Sequence, residues 1–286
     1  MNAPCTLTYG QLWERVRRRL EQAGCDSPAF DATCLLEDIG GLPRGALPAK
    51  RGEPVPPERQ DAVTEAAEQR ADGRPLQYIL GSWDFFSLTL KVGEGVLVPR
   101  PDTEVLCETV AAWLPPAAQP RVLDLCAGSG CVGLGIASLC PNVQVTAVEL
   151  SDAALPYLEC NCARYPQYAV RPVRADVLRD AEKFTESYEV IVSNPPYIPT
   201  ADLPGLMREV QHEPRMALDG AADGLRFYRA IARDWLVKLT DGGVGAVEVG
   251  IGQAADVAAL FAAAGLREIC YVKDAGGIDR VVIGRK

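Results

Sequence analysis

The chain has 286 residues, with 29 basic against 38 acidic side chains and a formal net charge of −9. Apolar residues at 48% and charged residues at 23% exclude a disordered or fibrous chain, and the acidic balance disfavours a grip on long nucleic acid through a broad basic surface. His212 is the only histidine, so catalysis by a histidine pair and a histidine-rich metal site are excluded, and no metal is expected.

Residues 1–81 carry helical patterns only. Thr8-Tyr-Gly-Gln11 has capping-box spacing, and Leu12, Val16 and Leu20 follow at helical intervals up to Gly24. Ser27-Pro28 supplies an N-cap with proline at the first helical position, after which Phe30, Cys34, Leu35 and Ile39 are expected to share one face. Pro56-Pro57-Glu58 opens a further helix carrying Ala62, Val63, Ala66 and Ala67 and closing near Gly73. The segment reads as a small helical bundle. Arg17-Arg18-Arg19 stands next to Glu14 and Glu21 and reads as a solvated helix face. No apolar stretch accompanies these arginines as a secretory signal requires, so the chain is expected in the cytoplasm with its ten cysteines reduced. Cys160 and Cys162 form only a CxC, which argues against structural zinc.

Residues 82–102 change character. Period-two alternation over 87–92, then Val96-Leu97-Val98 after the Gly93-Glu94-Gly95 turn, predicts a β-hairpin that links two domains. Over 103–286, short β-branched runs at 122–125, 143–148, 170–173, 190–192, 244–249 and 281–283 are mostly separated by helix-length segments. This is the pattern of an α/β, Rossmann-like doubly wound sheet with helices on both faces, whose ligand sits at the carboxyl ends of the first strands. The uncharged stretch 125–148 is long enough to span a bilayer. It is broken by glycines, Pro141 and Asn142, and reads as loop, helix and strand, so no membrane association is expected.

Two loops on that rim carry the chemistry. Asp124 ends the first strand and leads through Cys126, Ala127, Gly128, Ser129 and Gly130 into a helix, a turn where backbone can approach a ligand and N–H groups are free. Glu149 ends the second strand, 19 residues after Gly130, where a carboxylate can accept both hydroxyls of an adenosine ribose. These features predict a nucleoside cofactor without separating NAD from S-adenosylmethionine. GxxxxGK[ST] is absent, which disfavours nucleoside triphosphates. On the fourth strand's end stands Asn194-Pro195-Pro196-Tyr197. The prolines fix φ and donate no hydrogen bonds. The Asn194 side-chain oxygen and the Pro195 carbonyl can accept both protons of one NH₂ group, while Tyr197 offers a flat face to the planar group bearing it. Trp83, Phe85 and Phe86 read as core, and Cys126 and Cys131 as packing residues.

The Asp124-Leu-Cys-Ala-Gly-Ser-Gly130 turn together with Asn194-Pro-Pro-Tyr197 resembles the class I S-adenosylmethionine-dependent methyltransferases that modify nitrogen on planar groups. Arg74-Pro-Leu-Gln-Tyr-Ile-Leu-Gly81, Val98-Pro-Arg-Pro-Asp-Thr-Glu104 and His212-Glu-Pro-Arg-Met-Ala-Leu-Asp-Gly220, with Asp223-Gly-Leu225, are similar to the peptide chain release factor N5-glutamine methyltransferases, the PrmC/HemK family. The likeness covers nearly the whole chain. It implies an N-terminal helical domain at 1–81 that docks a release factor, a hairpin linker at 82–102 and a catalytic domain at 103–286. It also implies that Cys126 to Gly130 wrap the methionine part of S-adenosylmethionine, Glu149 holds the ribose, and Asp176 and Val177 contact adenine. Asn194 would face both cofactor and substrate, with Thr103 and Glu104 closing one side. The family commonly has glycine at position 126 and aspartate at position 149. The implied reaction is methyl transfer to the glutamine amide of the Gly-Gly-Gln motif in class I release factors. Two rival readings remain: a nucleic-acid amino-group (adenine N6 or guanine N2) methyltransferase, and a non-catalytic nucleoside-binding partner protein.

Overall fold

The structure, a computed structural model, describes residues 6–115 and 119–286. The chain divides into two units, one formed by residues 1–81 with 207–212 and the other by 82–206 with 213–286.

The first unit is helical, with α1 (Tyr9–Gln22), α2 (Pro28–Asp38), α3 (Leu47–Lys50), α4 (Pro57–Ala71) and α5 (Leu76–Leu80). The Thr8–Gln11 capping box forms in both directions, and Leu12, Val16 and Leu20 are buried. On α2 the buried face is Asp31, Ala32, Leu35 and Leu36, so the expected Phe30 face is rotated and Phe30 is 55% exposed. The cause is Asp31, which turns inward to pair with the buried Arg70 of α4 at 2.7 Å. The same guanidinium reaches Glu209 at 2.8 Å, which helps tie segment 207–212 into this unit.

The second unit opens with an antiparallel hairpin, β1 (Ser82–Phe85) and β2 (Leu88–Lys91). Its turn is Phe86-Ser87, not the expected Gly93-Glu94-Gly95, and 96–98 form no strand. The Val98 N–H is taken by the Glu213 carboxylate at 3.2 Å instead of a neighbouring strand. Gly93 serves close approach: a Cβ there would lie 2.3 Å from the Tyr157 hydroxyl.

Then come α6 (Pro101–Trp113), β3 (Arg121–Leu125), α7 (Cys131–Leu139), β4 (Gln144–Glu149), α8 (Leu155–Arg164), β5 (Ala169–Arg174) and β6 (Tyr188–Ser193). They are followed by α9 (Arg215–Leu218), α10 (Arg226–Ala230), β7 (Leu239–Glu248), α11 (Ala254–Ala263), β8 (Arg267–Lys273) and β9 (Asp279–Arg285). The sheet order is β5-β4-β3-β6-β7-β9-β8, and pairing is parallel from β5 through β7 and antiparallel on both sides of β9. Strand order reverses between β3 and β6, which places the crevice at their carboxyl ends.

Alternation along the strands sorts side chains to two cores. Val122, Val190, Val192, Val244 and Ala246 pack towards Leu106, Val110 and Leu134. Leu123, Leu125, Ile191 and Val247 pack towards Trp235, Val257 and Phe261 on the opposite face. The same period-two rule puts Asp124 and Glu248 on the α6/α7 side of the sheet. β8 was not expected from the sequence. Its Arg267-Glu-Ile-Cys-Tyr-Val-Lys273 pattern is that of an exposed edge strand. No helix among the described residues is long and apolar enough to cross a membrane.

Candidate functional site

The ends of β3 to β6 and the segments 95–103 and 214–227 line a cavity of about 580 Å³, within the usual size of a small-molecule site. Cys126, Ala127, Gly128 and Ser129 lie on its wall with Glu149, Asp176, Val177, Asn194, Pro196 and Thr103. Asp124, Gly130, Pro195, Tyr197 and Glu104 do not line it. Asp124 faces α7, where its Oδ2 accepts the Gly133 N–H at 2.9 Å and its Oδ1 is buried without a partner among the described residues. Burial pushes this carboxyl up to about 8; the Gly133 N–H opposes the rise and the Glu149 charge adds to it. Glu104 accepts the Phe86 N–H at 2.7 Å and so fixes the hairpin turn. His212 is exposed and belongs to the first unit.

Glu149 holds the turn from the neighbouring strand. Its Oε2 accepts the Gly128 N–H at 2.8 Å, and its Oε1 accepts those of Leu150 and Ser151 at 2.8 and 2.7 Å. Within the turn, Cys126 sits at φ 60°, in the left-handed region, where an L side chain is strained by roughly 1–2 kcal/mol. Burial raises its thiol well above the usual range, and raises that of Cys131 to about 12, so both are neutral packing groups. The Ser129 carbonyl is held by Asn161 Nδ2 at 2.9 Å, while the Ser129 hydroxyl is buried beside the Cys131 thiol and has no oxygen or nitrogen partner among the described residues.

The tetrad is held from farther away. Asn194 Nδ2 donates to Thr103 Oγ1 at 3.2 Å, and the Thr103 hydroxyl donates to Glu248 Oε2 at 2.6 Å. The Tyr197 hydroxyl lies 3.5 Å from Glu248 Oε1. Gln253 Nε2 donates to the Tyr197 carbonyl at 2.9 Å, and its Oε1 accepts the Gly250 N–H at 2.9 Å. Gly224, at φ 74°, lets the backbone close in: a Cβ there would lie 2.3 Å from the Tyr197 carbonyl oxygen. After the tetrad, Ile198 bridges to Asp219, and Asp219 Oδ1 accepts the Thr200 hydroxyl at 2.6 Å. Glu213 pins the facing loop through the Val98 N–H and the Arg100 guanidinium.

A sequence model of the PrmC N-terminal domain matches residues 11–81, and one of the methyltransferase small domain matches residues 101–212. The release factor glutamine methyltransferase of Geobacter sulfurreducens is 39% identical over 279 residues, covering 97% of this chain and 96% of that protein. That of Caulobacter vibrioides is 37% identical over 285 residues, covering 98% and 97%. The chain belongs to the release factor glutamine methyltransferase family. A methyltransferase from Pyrococcus furiosus, 17% identical, superposes with a TM-score of 0.51 over 80% of this chain and 98% of its own, which speaks for the fold alone.

Membership in the release factor glutamine methyltransferase family accounts for the motifs, and the geometry shows what supports them. Glu213 joins the Pro-Arg-Pro and Glu-Pro-x-x-Ala-Leu segments physically. Glu248, Gln253 and Asn161 were not singled out from the sequence. Glu248 did leave a signal there, as an acid at the carboxyl end of the 244–249 run and hence on the same rim as Asn194. Among the described residues no group of three His, Cys, Asp or Glu side chains could hold a metal ion.

Proposed function

We propose that the chain transfers a methyl group from S-adenosylmethionine to the side-chain amide nitrogen (N5) of the glutamine in the Gly-Gly-Gln loop of class I release factors, in the cytoplasm. One observation carries the reading. The Asn194 Nδ2 is committed to Thr103, so its Oδ1 is left as an acceptor on the cavity wall, with no hydrogen bond among the described residues.

The cavity residues fit the cofactor. Ser129 offers a buried hydroxyl that has no oxygen or nitrogen partner among the described residues. The Glu149 carboxylate uses three acceptor positions on backbone N–H groups and keeps capacity for a ribose hydroxyl. A Cβ placed on Gly128 would meet nothing nearer than Val96 at 3.9 Å, so open space lies above the turn. When bound, S-adenosylmethionine supplies a methyl group on an electrophilic sulfonium. Asp176 and Val177, which line the same cavity, would contact its adenine.

An amide nitrogen is a poor nucleophile because its lone pair is delocalised into the carbonyl. Asn194 Oδ1 and the Pro195 carbonyl would accept its two N–H groups and turn the nitrogen towards the methyl. Pro196 and Tyr197 would pack the amide plane. Such positioning is worth roughly 7–11 kcal/mol in favourable cases. Residues 1–81 serve as the release-factor docking domain, 82–102 as the linker and 103–286 as the catalytic domain.

The test is methyl transfer from labelled S-adenosylmethionine, offering a release factor, its Gln→Ala loop variant, DNA and RNA side by side. Label on the release factor that is lost in the variant supports the reading. Label on nucleic acid alone overturns the substrate, and bound cofactor with no transfer favours a binding protein.

A further inference from the structure

Glu248 is buried and has no ion-pair partner among the described residues. A carboxylate so placed costs free energy unless hydrogen bonds offset its lost hydration. Arg280, the nearest cation by its electrostatic effect, is already engaged by Asp274 at 2.9 Å and Asp102 at 3.3 Å. What Glu248 does hold is two hydroxyls, that of Thr103 at 2.6 Å and that of Tyr197 at 3.5 Å.

We propose that Glu248 is a positioning residue whose charge, relayed through Thr103, decides which end of the Asn194 amide faces the substrate. The inference rests on the amide methylation proposed above. An ionised carboxylate only accepts, so Thr103 must spend its single proton on Glu248. The Thr103 oxygen can then only accept from Asn194, which must turn its NH₂ inward at 3.2 Å and its Oδ1 outward. A protonated Glu248 permits the reverse polarity. Its O–H donates to Thr103, Thr103 donates to the Asn194 oxygen, and the flipped amide presents NH₂ to the substrate. Two NH₂ groups face to face cannot bond, so that state is unproductive.

The setting makes this proton accessible. Burial raises the Glu248 carboxyl to about 7; the Thr103 bond and Arg280 oppose the rise and Asp102 adds to it. The other titratable groups facing it are Tyr197, Tyr228, Cys107 and Cys131, all held neutral by burial-raised values. Asp124, raised to about 8 on the same side of the sheet, acts on Cys107 and Cys131 but not on Glu248, so Glu248 is the group bonded to Thr103 that titrates near neutrality.

The experiment combines turnover with a readout that needs no turnover. Asn194 is one of four asparagines, so ¹⁵N-asparagine labelling, with Asn194→Ala for assignment, isolates its side-chain NH₂ resonance. In the free protein that resonance should shift between pH 5.5 and 8.5 with a midpoint near 7, and the shift should vanish in Glu248→Gln. kcat for methyl transfer should fall on the acid side with the same midpoint and lose that limb in Glu248→Gln. Thr103→Val should lose about tenfold or more in kcat at unchanged cofactor KM, and Thr103→Ser should recover to within about threefold. A wild-type Asn194 resonance that does not move with pH overturns the proposal, as does a Glu248→Gln enzyme that keeps the acid limb. A wild type that does not methylate release-factor glutamine overturns the proposed function instead, and the resonance titration still decides the role of Glu248.

Discussion

The loop after β3 and the loop after β6 stand side by side on one rim and are held by different means. The β3 loop is fixed through its backbone: Glu149 gathers three N–H groups, one of them from Gly128, and Asp124 holds the start of α7 through Gly133. The β6 loop is fixed largely through side chains that arrive from α6, β7 and the segment just before α11. A backbone cradle presents N–H donors and open space to any ligand of suitable shape. A side-chain relay sets the direction of one acceptor. Under the proposed function the first would hold the cofactor and the second would aim the nucleophile.

Asn194→Ala should separate the two loops most sharply. Turnover should drop by about 10²–10³ while cofactor affinity, read by calorimetry, changes less than about threefold. An equal loss in both would show that the loops are not independent. Glu149→Ala tests the other side. It releases three N–H groups from a charged acceptor, so cofactor Kd should rise by about tenfold or more, with a smaller change in kcat.

A subtler test uses pH. The buried Asp124 keeps its proton up to about pH 8 in the folded chain against 3.8 unfolded. Between those values the folded chain binds the extra proton, so stability is greatest at the acid end and declines as pH rises, by at most about 1.4 kcal/mol per pH unit for this group. Glu248, raised to about 7, acts in the same sense. Asp124→Asn keeps an acceptor for Gly133 and should remove about half of that slope in denaturant titrations between pH 5 and 7. The smallest expected effect is at Cys126. Its positive φ should make Cys126→Gly more stable than Cys126→Ala by about 1 kcal/mol in chemical unfolding. An Ala variant at least as stable would mean that the turn relaxes without strain.

The same contrast explains what could be read in the sequence. The β3 turn is local: strand, glycines and strand-end acid fall within 121–149, so their spacing carries the geometry. Six of the seven strands of the large sheet, β3, β4, β5, β6, β7 and β9, were visible as short β-branched runs. β8 was not, because an edge strand with solvated faces has no apolar run to show. The hairpin was misplaced by one strand because Gly93 and Gly95 imitate a turn while serving close approach to Tyr157 and Ala153. Phe30 was assigned to the core because helical spacing cannot reveal that the Asp31–Arg70 pair takes the inner face. Glu248, Gln253 and Glu213 act across tens of residues, where spacing carries no information about contact.

Asn161 has a consequence for how the chain can drift over generations. Its amide accepts the Lys91 N–H at 2.7 Å and donates to the carbonyls of Lys91 at 3.0 Å and Ser129 at 2.9 Å. Aspartate, one base change away and nearly identical in shape, would set an oxygen against both carbonyls and loosen the hairpin and the turn together. A replacement that one base change makes available is therefore among the worst in the fold.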